Sequence, residues 1–403
     1  MKKDPFVLFL LISLFAWSCT IPDKNTGHTK IINLPESLHH IEMMPLSKIA
    51  TDIEYLPLAD TPNEALVGNI LSIHYDNDLI FIKDNTGLIK IFDRQGAFVR
   101  SIDRIGRGPQ EHSLMSNLSI SSLNGNLLLA DFSTIKEYNR SGTFIREVEA
   151  PQIEGYRITK PLMIAENLFI ASISNVIYDR EYCAVIYDSL ANILQMIPTP
   201  ELYLAKEQQQ PLDLGAGEGG ERIVQFVVII ESQMCRFEDQ VRFFYPETTE
   251  IFTTTGHGSI DTAYVIDYGK YRMPGGDYAQ DGKYLCLNRF VESKSHLFMN
   301  VIIRNVLDDD VVFIGNILFD KHTLESHFLH DRSKKMNGFI DDIQGGPAFW
   351  PRTLCGENLL VSYIYPIDLL EHTKQNKVSE QLTNTLSSLT DDSNPVVVLV
   401  HLK

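Results

Sequence analysis

Residues 69–111 read NILSIHYDNDLIFIKDNTGLIKIFDRQGAFVRSIDRIGRGPQE. Short apolar runs alternate there with three turns rich in Asp, Asn and Gly. The expected strands are Ile70–Tyr75, Leu79–Ile82, Leu88–Phe92 and Ala97–Asp103. Apolar runs without polar alternation are typical of strands that are covered on both faces. We therefore expect a four-stranded antiparallel sheet that needs a neighbour on each face.

Part of this segment recurs later in the chain. FDRQGAFVR at 92–100 returns as YNRSGTFIR at 138–146, so each position is repeated 46 residues later. The order aromatic, Asx, Arg, any residue, Gly predicts a hairpin in which the Asx side chain caps the turn and Gly takes a positive φ. Weaker copies follow in 167–192, 224–245 and 311–320. A period in the forties with four strands per unit is typical of propeller blades.

The sequence also predicts how the repeats close. An open stack of blades leaves two apolar faces in water, whereas a ring leaves none. Asp52–Leu58 and Pro395–Leu402 are strand-like, and we expect them to meet in one shared blade. The expected fold class is all-β, a β-propeller of four-stranded antiparallel blades. One short C-terminal helix is expected from Val378, Leu382, Leu386 and Leu389, which fall on one helical face.

The first residues have the order of an export signal. Lys2 and Lys3 precede an apolar segment that is too short to span a bilayer. We expect residues 1–18 to be a signal peptide and Cys19, after Ala16-Trp17-Ser18, to be lipidated. Ordinary cleavage is the alternative. Residues 19–45 then form a tether and N-terminal arm, flexible from Thr20 to about Asn33, and residues 46–403 form the propeller.

Composition restricts the function classes. The formal net charge is -17, which argues against a nucleic-acid partner because phosphate contacts need clustered Lys and Arg. The remaining cysteines are far apart, and Cys183 and Cys286 lie in strand-like runs, which favours buried thiols over disulfides. No zinc-type Cys/His spacing, HExxH pattern or GxSxG elbow is present, so we expect no metal, no cofactor and no serine hydrolase site.

Several motifs resemble a known family. The leader ending in Cys19, IGRGPQE at 105–111, YVIDYGK at 264–270, DDIQGGPAFWP at 341–351 and the Asn394-Pro395 step are similar to the exported six-bladed β-propeller lipoproteins of Bacteroides-type bacteria. The resemblance implies six blades and an outer-membrane address, although the 46-residue period alone fits about seven units. His112 stands where that family often has an aromatic residue.

Three groups of residues are candidate ligand sites. Gly106-Arg107-Gly108-Pro109, with Arg104 and Glu111 beside it, is a candidate anion cradle, but no Lys-Ser/Thr and no helix start follows it, which favours a blade-linking turn. Asp341 and Asp342 are candidate oxygen ligands for calcium, against a solvated turn. Trp350 is a candidate sugar-stacking platform, against a buried aromatic anchor. Long insertions at 198–221 and 271–282 are further candidate binding loops.

These features predict a non-enzymatic binding or interaction module at the cell envelope. It would be held to the lipid bilayer through Cys19 and would bind a glycan, a peptide or an envelope protein. The alternative is a propeller hydrolase or lyase that acts on a sugar or lactone at the central channel. Propellers host both kinds of protein, so the fold does not decide between them. A signalling or assembly scaffold is a third interpretation.

Overall fold

The computed structural model describes residues 30–39, 41–114, 116–121, 123–131, 134–154, 156–175, 181–199, 233–245, 248–254, 260–272, 283–307, 312–331 and 336–403. The expected lipidation site Cys19 and most of both long insertions lie outside these residues.

Six sheets of short strands, the blades, surround a central axis. In chain order the strands are β1 (Lys30–Asn33), β2 (Ile41–Glu42), β3 (Ala50–Pro57), β4 (Ile70–Asp76), β5 (Leu79–Asp84), β6 (Ile89–Asp93), β7 (Phe98–Ile102), β8 (Asn117–Ile120), β9 (Leu127–Ala130), β10 (Thr134–Tyr138), β11 (Phe144–Glu149), β12 (Tyr156–Ala165), β13 (Leu168–Asn175), β14 (Tyr182–Asp188), β15 (Ile193–Pro198), β16 (Gln233–Phe237), β17 (Gln240–Phe244), β18 (Glu250–Thr254), β19 (Ile260–Asp267), β20 (Tyr284–Glu292), β21 (His296–Arg304), β22 (Val312–Asp320), β23 (Ser326–Asp331), β24 (Met336–Asn337), β25 (Thr353–Cys355), β26 (Leu359–Ile364) and β27 (Val396–Leu402).

Blade 1 is β4–β7, and blades 2 to 5 follow as β8–β11, β12–β15, β16–β19 and β20–β23. Blade 6 has the strand order β25-β26-β27-β3. The short helices are α1 (Leu34–Ser37), α2 (Pro366–Gln375) and α3 (Glu380–Leu386), with 3₁₀ turns at Leu46–Lys48, Asn63–Ala65 and Gly269–Tyr271. In the described part of the chain, no helix has the length and apolar character needed to cross a membrane.

The repeated turn forms as its sequence predicts. In blade 1, Asp93 Oδ1 accepts hydrogen bonds from the backbone N–H groups of Gln95 (2.9 Å) and Ala97 (2.8 Å), and Gly96 has φ +80°. In blade 2, Asn139 takes the same role and Gly142 has φ +83°. An Asx cap and a left-handed glycine together close a tight hairpin between the two outer strands.

The core lies between blades. β5 is buried along nearly its whole length, with Ile80, Phe81 and Ile82 fully excluded from solvent. Phe81 packs in one cluster with Leu127 and Leu129 of blade 2. Ile80 and Ile82, on the other face, pack in a cluster with residues of blade 6. Each blade is therefore covered on both faces by its neighbours, as the apolar runs predict.

The two chain ends close the ring in blade 6. β27 pairs antiparallel with β26 on one side and with β3 on the other, and Val398 lies opposite Tyr55. The expected shared blade is confirmed, and β3 provides its outermost strand. The ring is therefore sealed by backbone hydrogen bonds between segments from opposite ends of the chain.

The N-terminal arm adds two strands that the sequence analysis does not predict. β1 pairs in parallel with β19 at the outer edge of blade 4, and β2 pairs in parallel with β23 at the outer edge of blade 5. The prediction of a flexible linker up to Asn33 is therefore wrong for Lys30–Asn33. The arm therefore runs along the outer edges of blades 4 and 5 before the chain enters blade 6 as β3.

The C-terminal helix is present but shorter than the apolar stripe. Ser379 caps α3 by accepting a hydrogen bond from the Leu382 backbone N–H at 3.0 Å, and Leu382 is buried. Val378 and Leu389 lie outside the helix. As expected, α3 packs beside the closing blade, where it contacts β3.

Cys183 and Cys286 are buried in β14 and β20 as reduced thiols, in agreement with the sequence prediction.

Candidate functional site

A cavity of about 490 Å³ lies at the centre of the ring. The first strand of every blade contributes to its wall, namely β4, β8, β12, β16, β20 and β25. Since these inner strands come from six separate parts of the sequence, the side chains that meet in the channel share no local motif. Cavities of about 300–1,000 Å³ are typical of small-molecule sites.

Most acidic side chains at the channel have basic partners. Asp76 accepts a hydrogen bond from Arg140 Nε at 2.8 Å, and Glu357 forms an ion pair with Lys294. Glu292 is bound by two cations and one hydroxyl group. These carboxylates are therefore neutralised within the protein.

The Glu292 cluster joins blades 4 and 5. Its carboxylate is buried and accepts hydrogen bonds from Arg242 Nε (2.9 Å), Lys321 Nζ (2.6 Å) and Tyr264 Oη (2.8 Å). Burial raises the pKa of the neighbouring Cys235 thiol, and the negative charge of Glu292 raises it further. Cys235 therefore stays protonated, and the cluster is a structural ion-pair network between two blades.

Three arginines at the channel differ from these paired groups. Arg289 and Arg352 make no side-chain hydrogen bond or ion pair with any residue that the structure describes. Arg236 donates from Nη1 to the Met163 carbonyl at 2.7 Å, while its buried Nε has no partner among the described residues. Burial lowers the pKa of Arg289, and the like charge of Arg352 lowers it further.

Arg352 is held by an aromatic ring. Its Cζ atom lies 4.2 Å from the centroid of the Tyr363 ring. Stacking of this kind holds the guanidinium plane and leaves the N–H groups at its edge available to other acceptors.

His74 is a neutral group in the same wall. Burial lowers its pKa, and Nε2 lies 3.1 Å from the Leu118 carbonyl oxygen of blade 2. A neutral ring in this position donates its Nε2–H to that carbonyl, so His74 links blades 1 and 2. Within the described residues, no three His, Cys, Asp or Glu side chains are grouped closely enough to hold a metal ion.

Comparison with known proteins identifies the family. The family model described as "Domain of unknown function (DUF4934)" matches residues 29–401. The chain belongs to the DUF4934 family. No curated protein sequence matches it.

Two solved structures from Bacteroides are similar to this chain. One is a candidate exported protein from Bacteroides fragilis NCTC 9343, with a TM-score of 0.66 and 16% sequence identity over 93% of this chain and 99% of that chain. Another is a member of the DUF4221 family from Bacteroides vulgatus, with a TM-score of 0.49 and 12% identity over 90% of this chain and 98% of that chain. The first of these structures shows that the DUF4934 chain shares its fold with a protein of Bacteroides, in agreement with the resemblance of its motifs.

The structure places the predicted anion cradle of the DUF4934 chain between blades 1 and 2, away from the channel lining. Glu111 accepts a hydrogen bond from the Gly108 backbone N–H at 2.8 Å, which closes the loop on itself. Arg104 and Arg107 are exposed. His112 is buried and lies edge-on to Tyr138, with 6.2 Å between ring centroids, so it fills the place of the aromatic residue expected there.

The second predicted group lies between blades 5 and 6. Asp341 is buried, and its Oδ2 accepts hydrogen bonds from Tyr55 Oη and the Gly346 backbone N–H, both at 2.8 Å. Asp342 caps the turn at Ser47, whose backbone N–H donates at 2.9 Å. Trp350 stacks on Phe339 with 5.7 Å between centroids. Asp342 and Trp350 fit the structural alternatives of a turn and an aromatic anchor, whereas Asp341 caps a buried turn and not the expected solvated one.

The predicted residues therefore fall into two separate blade links, and neither group lines the central channel. Sequence reasoning missed Arg236, Arg289 and Arg352 because they converge only in the folded ring. One signal was available. The dipeptide Arg-Phe occurs in the inner strands of both blade 4, at Arg236-Phe237, and blade 5, at Arg289-Phe290.

Proposed function

We propose that this DUF4934 protein is a binding module of the cell envelope that holds a glycan or a short peptide in its central channel. The observation that carries the proposal is the channel itself, a cavity of about 490 Å³ to which all six blades contribute. Its volume suits part of a sugar chain or a few amino-acid side chains. The long insertions remain candidate binding loops.

The proposed address is the outer membrane, with Cys19 as the lipid anchor. The charged start and short apolar segment before Cys19 support export, and so does the fold shared with the candidate exported protein of Bacteroides fragilis. Cell fractionation tests the anchor: a Cys19→Ala variant should leave the membrane fraction, whereas persistence of the variant there would contradict it.

The channel is tested by filling it. Ser119 lines the cavity, whereas Val99 lies on the outer strand of blade 1 and is 40% exposed. We expect the full-length protein to bind members of a glycan or peptide array. Ser119→Trp should weaken that binding at least about tenfold, because a bulky ring displaces the ligand. Val99→Trp, the matched control, should bind as the wild type does.

Two results would contradict the proposal. One is binding that Ser119→Trp leaves unchanged, and the other is an array on which nothing binds. Conversion of a bound glycan into a product, seen by mass spectrometry, would instead establish the hydrolase or lyase interpretation.

A further inference from the structure

Among the described residues at the channel, the acidic side chains are mostly paired with basic ones, but two of the basic side chains have no acidic partner. Asp76, Glu292 and Glu357 all have basic partners within the protein. Arg289 and Arg352 have no carboxylate partner among the described residues, although both line the cavity. Glu238 is the remaining acid at the wall, and it forms no ion pair in the part of the chain that the structure describes.

This arrangement runs against the composition of the protein. A chain with a net charge of -17 has many carboxylates that could neutralise an arginine at its surface. Here two arginines from adjacent blades instead line the same cavity, and the positive charge of Arg352 lowers the pKa of Arg289. Arg289 is half-buried and Arg352 is exposed. Two positive charges that share one cavity and have no carboxylate partner among the described residues make that part of the channel electropositive, and this favours an external anion there.

Geometry adds to this argument. Stacking on Tyr363 orients Arg352. Arg236 adds a third positive charge to the lining of the same cavity. Guanidinium groups match the paired oxygens of carboxylate, sulfate and phosphate groups, and their hydrogen bonds to oxyanions are stronger than neutral ones.

We infer that the ligand of the central channel carries an oxyanion, and that Arg289 and Arg352 bind it. This inference rests on the proposed function, because it assigns the chemical class of the ligand that the channel holds. An acidic sugar is one source of such a group, and a sulfated or phosphorylated molecule is another.

The test is calorimetric titration of the full-length protein with glucuronate, with glucose as its neutral match, and with inorganic sulfate and phosphate. At least one anion should bind, and glucose should not. Arg289→Gln and Arg352→Gln should each weaken anion binding by about 10- to 100-fold, the effect of one charge-assisted hydrogen bond. Arg100→Gln, on the outer strand of blade 1, is the matched control and should change nothing.

Thermal unfolding separates a binding role from a structural one. Without ligand, Arg289→Gln should melt at the same temperature as the wild type or higher, since it removes one of two like charges from the cavity wall. A structural role predicts a lower melting temperature instead. A bound anion should raise the melting temperature of the wild type but not that of the variant.

The failures of the two proposals are distinguishable. The oxyanion inference is overturned if no anion binds at millimolar concentration, or if neither arginine substitution changes anion binding. In that case, a loss of array binding in the Ser119→Trp variant would still support ligand binding in the channel. If Ser119→Trp leaves all binding intact, the channel proposal itself is overturned.

Discussion

The repeated hairpin turn shows how far single residues determine the structure. Its Asx cap and its glycine are both predictable, because each role depends only on neighbours in sequence. The arginine between them has a second role that the sequence does not reveal. Arg94 forms an ion pair with Glu54 of blade 6 at 2.5 Å, and Arg140 forms one with Asp76 of blade 1. These partners come from the preceding blade, so only the folded ring shows them.

Gly96 should be sensitive to substitution for the same reason. A Cβ atom there would lie 2.2 Å from the Pro57 carbonyl oxygen of the adjacent blade, in addition to the cost of φ +80°. We expect Gly96→Ala to lower the free energy of unfolding by about 2–5 kcal/mol, the sum of left-handed strain and overpacking. Urea denaturation measures this.

Gly356→Ala is the matched control. Gly356 also has a positive φ, +58°, but nothing lies within 4 Å of a Cβ atom built there. Gly356→Ala should lower the free energy of unfolding by about 1–2 kcal/mol, because only the left-handed backbone strain contributes. Equal losses in the two variants would show that the contact with Pro57 contributes nothing.

The elements follow the sequence most closely where repetition reinforces the signal. Blade 1 has the four expected strands with the expected turns. The arm strand β1 escapes prediction because four residues are too short to show a period, and because its partner β19 lies far away in sequence. The helix α3 was predicted from its apolar stripe, but the Ser379 cap fixes its start at Glu380, two residues after Val378.

The arm should stabilise blade 4 through one face of β1. Ile32 is fully buried in a cluster with Phe244 and Ile251, whereas the adjacent Ile31 is 61% exposed. We expect Ile32→Ala to lower the free energy of unfolding by about 2–5 kcal/mol, as large-to-small core substitutions do. Ile31→Ala should stay within about 0.5 kcal/mol of the wild type. Chemical denaturation tests this pair, and similar values for both would mean that the arm is not docked.

The whole molecule depends on contacts that no segment contains alone. Ring closure was predictable because both chain ends read as strands, whereas the number of blades needed the family resemblance. The channel was not predictable in detail, since Arg289 and Arg352 meet only when blades 5 and 6 stand side by side.

Acid should destabilise the folded propeller as a whole. Burial lowers the pKa of His74, His112 and His296, which lie in blades 1 and 5 and in the first blade link. In the unfolded chain, histidines have an ordinary pKa of about 6.5. Below that pH the unfolded chain therefore binds more protons than the folded chain does. The histidine contribution to stability is fully present above that pH and is lost as the pH falls below it.

His112→Phe should reduce this pH dependence. The substitution removes one of the three histidines that take up a proton on unfolding. The slope of unfolding free energy against pH should therefore fall by up to about 1.4 kcal/mol per pH unit just below pH 6.5. Denaturation curves between about pH 7 and pH 5 measure the slope. His39→Gln, at an exposed position, is the control, and an unchanged slope for His112→Phe would contradict the assignment.

The composition of blade 6 also sets an order of events during synthesis. Translation is vectorial, so β3 leaves the ribosome before any complete blade exists, and its partner β27 leaves after all the others. Until then β3 has no strand to pair with, and blades 1 and 5 each expose an apolar flank. A nascent chain that stops before Val396 therefore cannot close the ring. Its unpaired strand edges are exposed to proteases, whereas the full-length chain pairs them.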